Sequence, residues 1–414
     1  MSTEAEQVPG AEPAVQLAPL FPVLDTLRAV GALAVLTTHT AFQSGDYLGH
    51  GYLGTLLSRL DIGVAIFFVL SGFLLSRSYL ARAALRRPPQ PVGRYALKRL
   101  LRIYPVYAVT VVLALLLIPE NDGASAGDWL RSLLLLDTYA SARLPQGLTQ
   151  MWSLGVEVAF YALLPLLMLV AVGRGGPLRP LRVVGLLMLL TAVSAAWVLD
   201  IGHRMDELVA GAPLTWLPAF LTWFSVGIGF ALAHVVLQQR PGPPRAALAL
   251  RDLGRMPGAC WAMALGLLLV AATPVAGPAL LFVSTPSEAL TKNLLYAFVA
   301  GLLVLPGVFA GPGAFSQVLS WPPLRHLGHI SYSIFCLHLP VLHLVMGLTG
   351  YPLFGGHGFT IWLLTVLGSL VAAELAYRLV ERPAMRFAHR REPPGRAPAL
   401  EDAPMTHATT ATTR

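Results

Sequence analysis

Charge and cysteine are what this sequence of 414 residues has least of: Asp, Glu, Lys and Arg make up 12% of it, and only two residues are cysteine. Soluble domains carry roughly 25% charged residues. The low value, beside 55% hydrophobic residues and a mean hydropathy of +0.65, excludes an ordinary soluble chain. Cys260 and Cys336 both fall in apolar stretches, far from any CxxC or His-rich spacing. They support neither a disulfide framework nor a zinc site and read as small buried residues, and no metal is expected. Lysine is scarce as well, with Lys98 and Lys292 alone among 29 basic residues. That scarcity, with abundant Ala, Gly, Pro and Arg, points to a bacterial source. The acidic stretch 1–20 lacks a basic n-region and a small-residue cleavage site, so a cleaved signal peptide is not expected.

Long apolar runs dominate the rest of the chain. A membrane-spanning helix needs about 20 mainly apolar residues. The chain offers such runs near 22–41, 62–80, 101–118, 152–172, 181–199, 214–237, 259–276, 293–310, 330–348 and 359–380. The fold class expected is therefore all-α, a polytopic transmembrane helical bundle of about ten spans. Three segments are expected: a disordered N-terminal tail, 1–20, a membrane domain, 21–386, and a disordered C-terminal tail, 387–414. No loop leaves room for a second folded domain. No 20–50-residue repeat or matched pair of broken helices appears.

The formal charge of +8 could suggest nucleic acid, but its distribution argues for a lipid bilayer instead. Alternating loops hold 23 of the 29 basic residues on one side and five on the other. By the positive-inside rule the chain is a multi-pass cell-membrane protein with both termini cytoplasmic. No nucleic-acid partner is expected.

Against this background the polar residues within spans are costly, and functional by default. Arg28 and His39 lie in the first run. Eleven residues turn a helix through roughly 1100°, about 20° past three full turns, and raise it about 16 Å. Both side chains thus share one face at different depths. Asp25, one turn before Arg28, offers a local ion pair as the alternative account of that arginine. Arg99 and Arg102 share a face at the basic end of the third run, where two guanidinium forks can clamp phosphate oxygens. Glu157, in the first turns of the fourth run, is at a depth that permits pairing with His39; its alternative is a plain interfacial residue beside Trp152. A carboxylate accepting from one imidazole nitrogen raises the basicity of the other. Ser71 reads either as an acyl-carrying nucleophile or as a small residue for helix packing. His338, mid-span, contacts a substrate or bonds backbone near Tyr332. Arg378, Glu381 and Arg382 read as a structural ion-pair cluster.

Six blocks stand in order along the chain: Leu24-Asp-Thr-Leu-Arg28 through His39, Phe67-Phe-Val-Leu-Ser-Gly-Phe73, Arg99-Leu-Leu-Arg-Ile-Tyr-Pro105, Trp152-Ser-Leu-Gly-Val-Glu157, Ile330-Ser-Tyr-Ser-Ile-Phe-Cys-Leu-His338 and Tyr377-Arg-Leu-Val-Glu-Arg-Pro383. Together they resemble the acyltransferase 3 family over about Phe21 to Arg386. The resemblance implies transfer of an acyl group from acyl-CoA, a co-substrate rather than a resident cofactor, to a hydroxyl of a carbohydrate or glycosylated natural product. It implies a catalytic His39, with Glu157 as the partner suggested by depth. Arg28, Arg99 and Arg102 are the implied donor-binding residues, and Ser71 and His338 are candidate substrate contacts. The 16 Å rise is of the order of a pantetheine arm. Two departures stand out: the acid often found just before the Phe-Phe pair is replaced by Ala65 or Ile66, with Asp61 displaced, and the acidic pair after Trp-Ser is reduced to Glu157 followed by Val158. An exporter of an acylated or anionic compound is the alternative function.

Overall fold

The computed structural model describes residues 20–141, 143–174, 177–239, 242–279 and 283–390. The tails expected at 1–20 and 387–414 lie almost wholly outside the described residues. Twelve helices form the frame: α1 Pro22–Ser44, α2 Gly63–Ala84, α3 Val92–Leu117, α4 Met151–Val172, α5 Pro180–Ala196, α6 Leu217–Val236, α7 Arg245–Gly254, α8 Pro257–Ala271, α9 Pro286–Phe309, α10 Pro322–His329, α11 Ser331–Thr349 and α12 Gly358–Ala376. No strand occurs among the described residues. The chain is a polytopic transmembrane helical bundle.

Eight stretches of the described residues are long and apolar enough to cross a bilayer, and α7 with α8, bent by 89°, makes up to nine. That differs from the expected ten in two places. The seventh run becomes the short α8, 15 residues long, or about 22 Å at helical rise. Helix α1 is not among the eight. It carries Asp25, Arg28, His39 and several threonines, and it packs against α2, α9, α10, α11 and α12 at the centre of the bundle. There its polar side chains meet protein. Thr26 Oγ1 donates to the Leu319 carbonyl at 2.6 Å, Thr38 Oγ1 to the Leu57 carbonyl at 2.9 Å, and Trp362 Nε1 to Thr37 Oγ1 at 3.0 Å.

Lipid tails are as apolar as leucine, so helices in a membrane associate through close packing of small residues and not through the hydrophobic effect. The most extensive contact in the bundle, α2 on α6, follows this rule. A Cβ added at Gly227 would lie 2.0 Å from the Val69 carbonyl oxygen, and one at Gly72 would lie 2.4 Å from that of Phe224. Beside this crossing Phe224 stacks on Phe68 and Phe160, with ring centroids 4.6 and 3.9 Å away. The packing thus assigns the small-residue role in the Ser71-Gly72 pair to Gly72, and leaves Ser71 on another face.

Candidate active site

Helices α1, α2, α3, α4, α10 and α11 enclose a cavity of about 290 Å³. Its wall is cationic. Arg94, Lys98 and Arg102 recur every fourth residue along α3 and so share one face, with Arg99 beside them. Arg28 comes from α1, Arg77 from α2 and Arg325 from α10. Seven guanidinium or ammonium groups therefore line one chamber, against the two carboxylates of Asp25 and Glu157. Asp25 is engaged by α10: Arg325 Nε donates to its Oδ2 at 3.2 Å, and His329 Nε2 is 3.7 Å from the same oxygen. Arg77 is buried, with its Nε 3.3 Å from His234 Nδ1 and its guanidinium over the Phe21 ring. The Arg28, Arg99 and Arg102 grouping expected from sequence thus assembles in one place.

Glu157 belongs to this chamber too. Its Oε1 accepts from the Ser71 hydroxyl and from the Tyr161 hydroxyl, the latter at 2.5 Å. Tyr161 is one turn along α4, and Ser71 reaches across from α2. The expected pairing of Glu157 with His39 is not formed. Both lie at compatible depths, but α4 packs on α2, α3, α5 and α6, so its acid turns toward α2 while His39 turns toward α11. Helical rise supplies depth from sequence; it does not supply the direction in which a helix faces its neighbours.

His39 is half-buried, and its ring lies 5.3 Å, centroid to centroid, from that of His338 on α11. His338 is fully buried; its Nδ1 is 2.7 Å from the Phe335 carbonyl and 3.2 Å from that of Ile334. The backbone partners are therefore one turn back on its own helix, in the stretch just after Tyr332 as expected, and the Tyr332 hydroxyl donates to the Ile103 carbonyl at 2.8 Å. A carbonyl can only accept, so Nδ1 carries the proton and Nε2 is left as an acceptor. That Nε2 has no partner among the described residues.

Neither imidazole lines the cavity. Two phenylalanines stand between: Phe67 and Phe335 both border the chamber, with centroids 6.0 Å apart, and Phe335 is 6.0 Å from His338. A chain of ring contacts thus runs from the chamber wall to the histidines: Phe67 to Phe335, Phe335 to His338, and His338 to His39.

Three polar groups without a catalytic or binding role assigned from sequence complete the surroundings. Asp61, in the turn Arg59–Ile62, is the carboxylate whose charge reaches His39. It accepts from Lys292 Nζ at 2.8 Å and from the Tyr296 hydroxyl. Its legible signal was the displaced acid before the Phe-Phe pair. Gln150 answers a defect in α11. Pro340 has no N–H to offer the carbonyl four residues back, and Gln150 Nε2 donates to that Cys336 oxygen at 2.9 Å. Glu381, read from sequence as part of a structural ion-pair cluster, is instead buried within a π turn, Tyr377–Glu381, and accepts from Ser333 Oγ at 2.8 Å. Arg378 pairs with Glu374. The cluster is split because the extra residue of a π turn rotates the helix beyond it.

These features define a class: a multi-pass helical membrane protein built around a cation-lined chamber, with a pair of neighbouring imidazoles behind one of its wall residues, Phe335. The acyltransferase domain of the acyltransferase 3 family matches residues 21–378, and the chain belongs to that family. It is 27% identical over 383 residues to the peptidoglycan O-acetyltransferase OatA of Listeria monocytogenes, covering 87% of this chain and 55% of that protein. It is 29% identical over 424 residues to the acyltransferase MdmB of Streptomyces mycarofaciens, covering 93% and 97%. Nodulation protein 10 of Rhizobium leguminosarum is 25% identical over 393 residues, covering 88% and 93%. The chain therefore spans about half the length of some relatives and nearly all of others. No solved structure matches.

Proposed function

We propose that this acyltransferase moves a short acyl group from cytosolic acyl-CoA to a hydroxyl of a carbohydrate or glycosylated natural product, with His39 as general base. The observation that carries the reading is the cationic chamber, which gathers Arg28, Arg99 and Arg102 in one wall and is bordered by Phe335, whose ring is 6.0 Å from that of His338, the neighbour of His39. Anionic phosphates of the donor fit such a wall through charge-assisted, bidentate hydrogen bonds. The O-acetyltransferase named among the relatives favours oxygen as the acceptor atom.

The chemistry balances on one base. A ring nitrogen of His39 takes the acceptor hydroxyl proton as the oxygen bonds to the thioester carbonyl carbon. The C–S bond then breaks, and the thiolate takes the proton back from the imidazolium. Glu157 serves the chamber by holding the Ser71 and Tyr161 hydroxyls. The orientation that fits is the one in which the arginine-rich end faces the cytoplasm, where acyl-CoA is found.

The test uses purified full-length protein in detergent with acetyl-CoA, propionyl-CoA and longer donors, a panel of methyl glycosides and bacterial extracts as acceptors, and mass spectrometry of the products. Acylated product is expected with the native chain and none with His39→Ala, at equal yield and elution volume. Turnover by His39→Ala would remove the base assignment. Absence of donor consumption by any combination would overturn the acyl-CoA reading.

A further inference from the structure

We infer that His338 is the positioning residue for His39. It accepts a hydrogen bond from one nitrogen of the His39 ring and so leaves the other as the free base. The inference deepens the proposed function and rests on its reading of His39 as the base.

Two observations meet here. The first is the acceptor left over on His338. Its Nδ1 is committed to the Phe335 and Ile334 carbonyls, and its Nε2 is buried without a partner among the described residues. An unsatisfied buried polar atom costs about 1–3 kcal/mol, so a donor brought to this nitrogen would be bonded with a gain in stability. The second is the donor nearby. His39 lies against this ring, and among the described residues neither of its nitrogens takes part in a hydrogen bond. An N–H···N bond of about 3 Å between two imidazoles places their centroids about 5 Å apart once both ring radii are added. The observed separation is 5.3 Å, with the planes tilted by 40°, so a small turn of the His39 ring closes the contact.

The consequence is a defined proton inventory. His338 is locked as the Nδ1–H tautomer by its own helix. It cannot donate to His39 and can only accept. The facing nitrogen of His39 must then carry the hydrogen, and the far nitrogen holds the lone pair. When the far nitrogen takes the hydroxyl proton, the imidazolium keeps its bond to His338, now charge-assisted and stronger. When the thiolate recovers that proton, the starting state is restored. Asp61 acts on the same ring by charge, already bonded to Lys292 and Tyr296. The role expected of Glu157 thus passes to a neutral partner on α11.

The test compares His338→Leu, which removes the acceptor, with His338→Gln, whose amide oxygen can reach the place of Nε2. Acetyl-CoA is the donor, and the methyl glycoside giving most product with the native enzyme is the acceptor. His338→Leu is expected to lower kcat by about thirtyfold or more, a part of the roughly 10²–10⁴-fold that a general base contributes, with both KM values within about threefold. His338→Gln should recover most of the loss. In a His39→Ala background, His338→Leu should make no further difference, as for residues that act as a unit. Native-like kcat in His338→Leu overturns the inference while leaving His39 as the base. Equal impairment of the Gln and Leu variants, both eluting like the native protein, would assign His338 a packing role only. A raised acceptor KM at unchanged kcat would make it a substrate contact. If His39→Ala itself turns over, the base reading fails first and this inference with it.

Discussion

Arg99 and Arg102 illustrate what a single side chain does in this chamber. Each contributes a planar fork of N–H donors that matches phosphate oxygens, on a helix whose next turns are apolar. A hydrogen bond to a charged group is worth about 1.5–3 kcal/mol, or about tenfold or more in a binding constant. Reversing either charge, as Arg99→Glu or Arg102→Glu, should raise the KM for acetyl-CoA by about tenfold or more with little change in kcat. Initial rates across donor concentration read this directly. A fall in kcat at constant KM would move these arginines out of donor binding. Arg102 has an added duty, since its charge reaches the buried Glu381.

At the scale of elements, the bundle depends on backbone contact where glycines meet. At Gly227 an added methyl would overlap the Val69 carbonyl, whereas at Gly266 on α8 a Cβ meets nothing within 4 Å. Gly227→Ala should therefore destabilise the protein by about 1–3 kcal/mol through overpacking. Gly266→Ala should stabilise it by about 0.5–1 kcal/mol, because alanine loses less entropy in a helix. Thermal unfolding in one detergent compares the two. A lower Tm for Gly266→Ala than for Gly227→Ala would contradict the packing described for α2 and α6. The proline in α11 is a second example at this scale. It leaves the Cys336 carbonyl without its helical partner, and a glutamine from the turn before α4 restores the bond. The sequence displays both residues, but their pairing across 186 positions comes only from the fold.

For the whole molecule, the unequal sharing of Lys and Arg between alternate loops sets an orientation that labelling can read. Cys260 and Cys336 are buried, so an introduced thiol is reported against low background. Arg87 and Asp122 are exposed, in the loops on either side of α3. In intact cells a membrane-impermeant maleimide should label Asp122→Cys at once, and Arg87→Cys only after permeabilisation. The reverse pattern would place the arginine-lined chamber on the outer face and separate it from cytosolic acyl-CoA.

The sequence by itself determined the class and the vertical coordinate. Apolar length marks most of the spans, the blocks from Leu24 to Pro383 mark the family, and helical rise sets Arg28 and His39 about 16 Å apart on one face. Each of these is a local property of a periodic chain. The tertiary structure decided the horizontal coordinate. It placed α1 at the centre despite its modest hydropathy, turned Glu157 toward Ser71 and away from His39, gave Gly72 the packing role, buried Glu381, and set His338 beside His39. The physical reason is that a helix's azimuth is fixed by contacts with helices far away in sequence. One glycine crossing or one π turn is enough to rotate it. Low charge and scarce cysteine announced a membrane bundle, and only the packing of that bundle chose which of its few polar groups would meet.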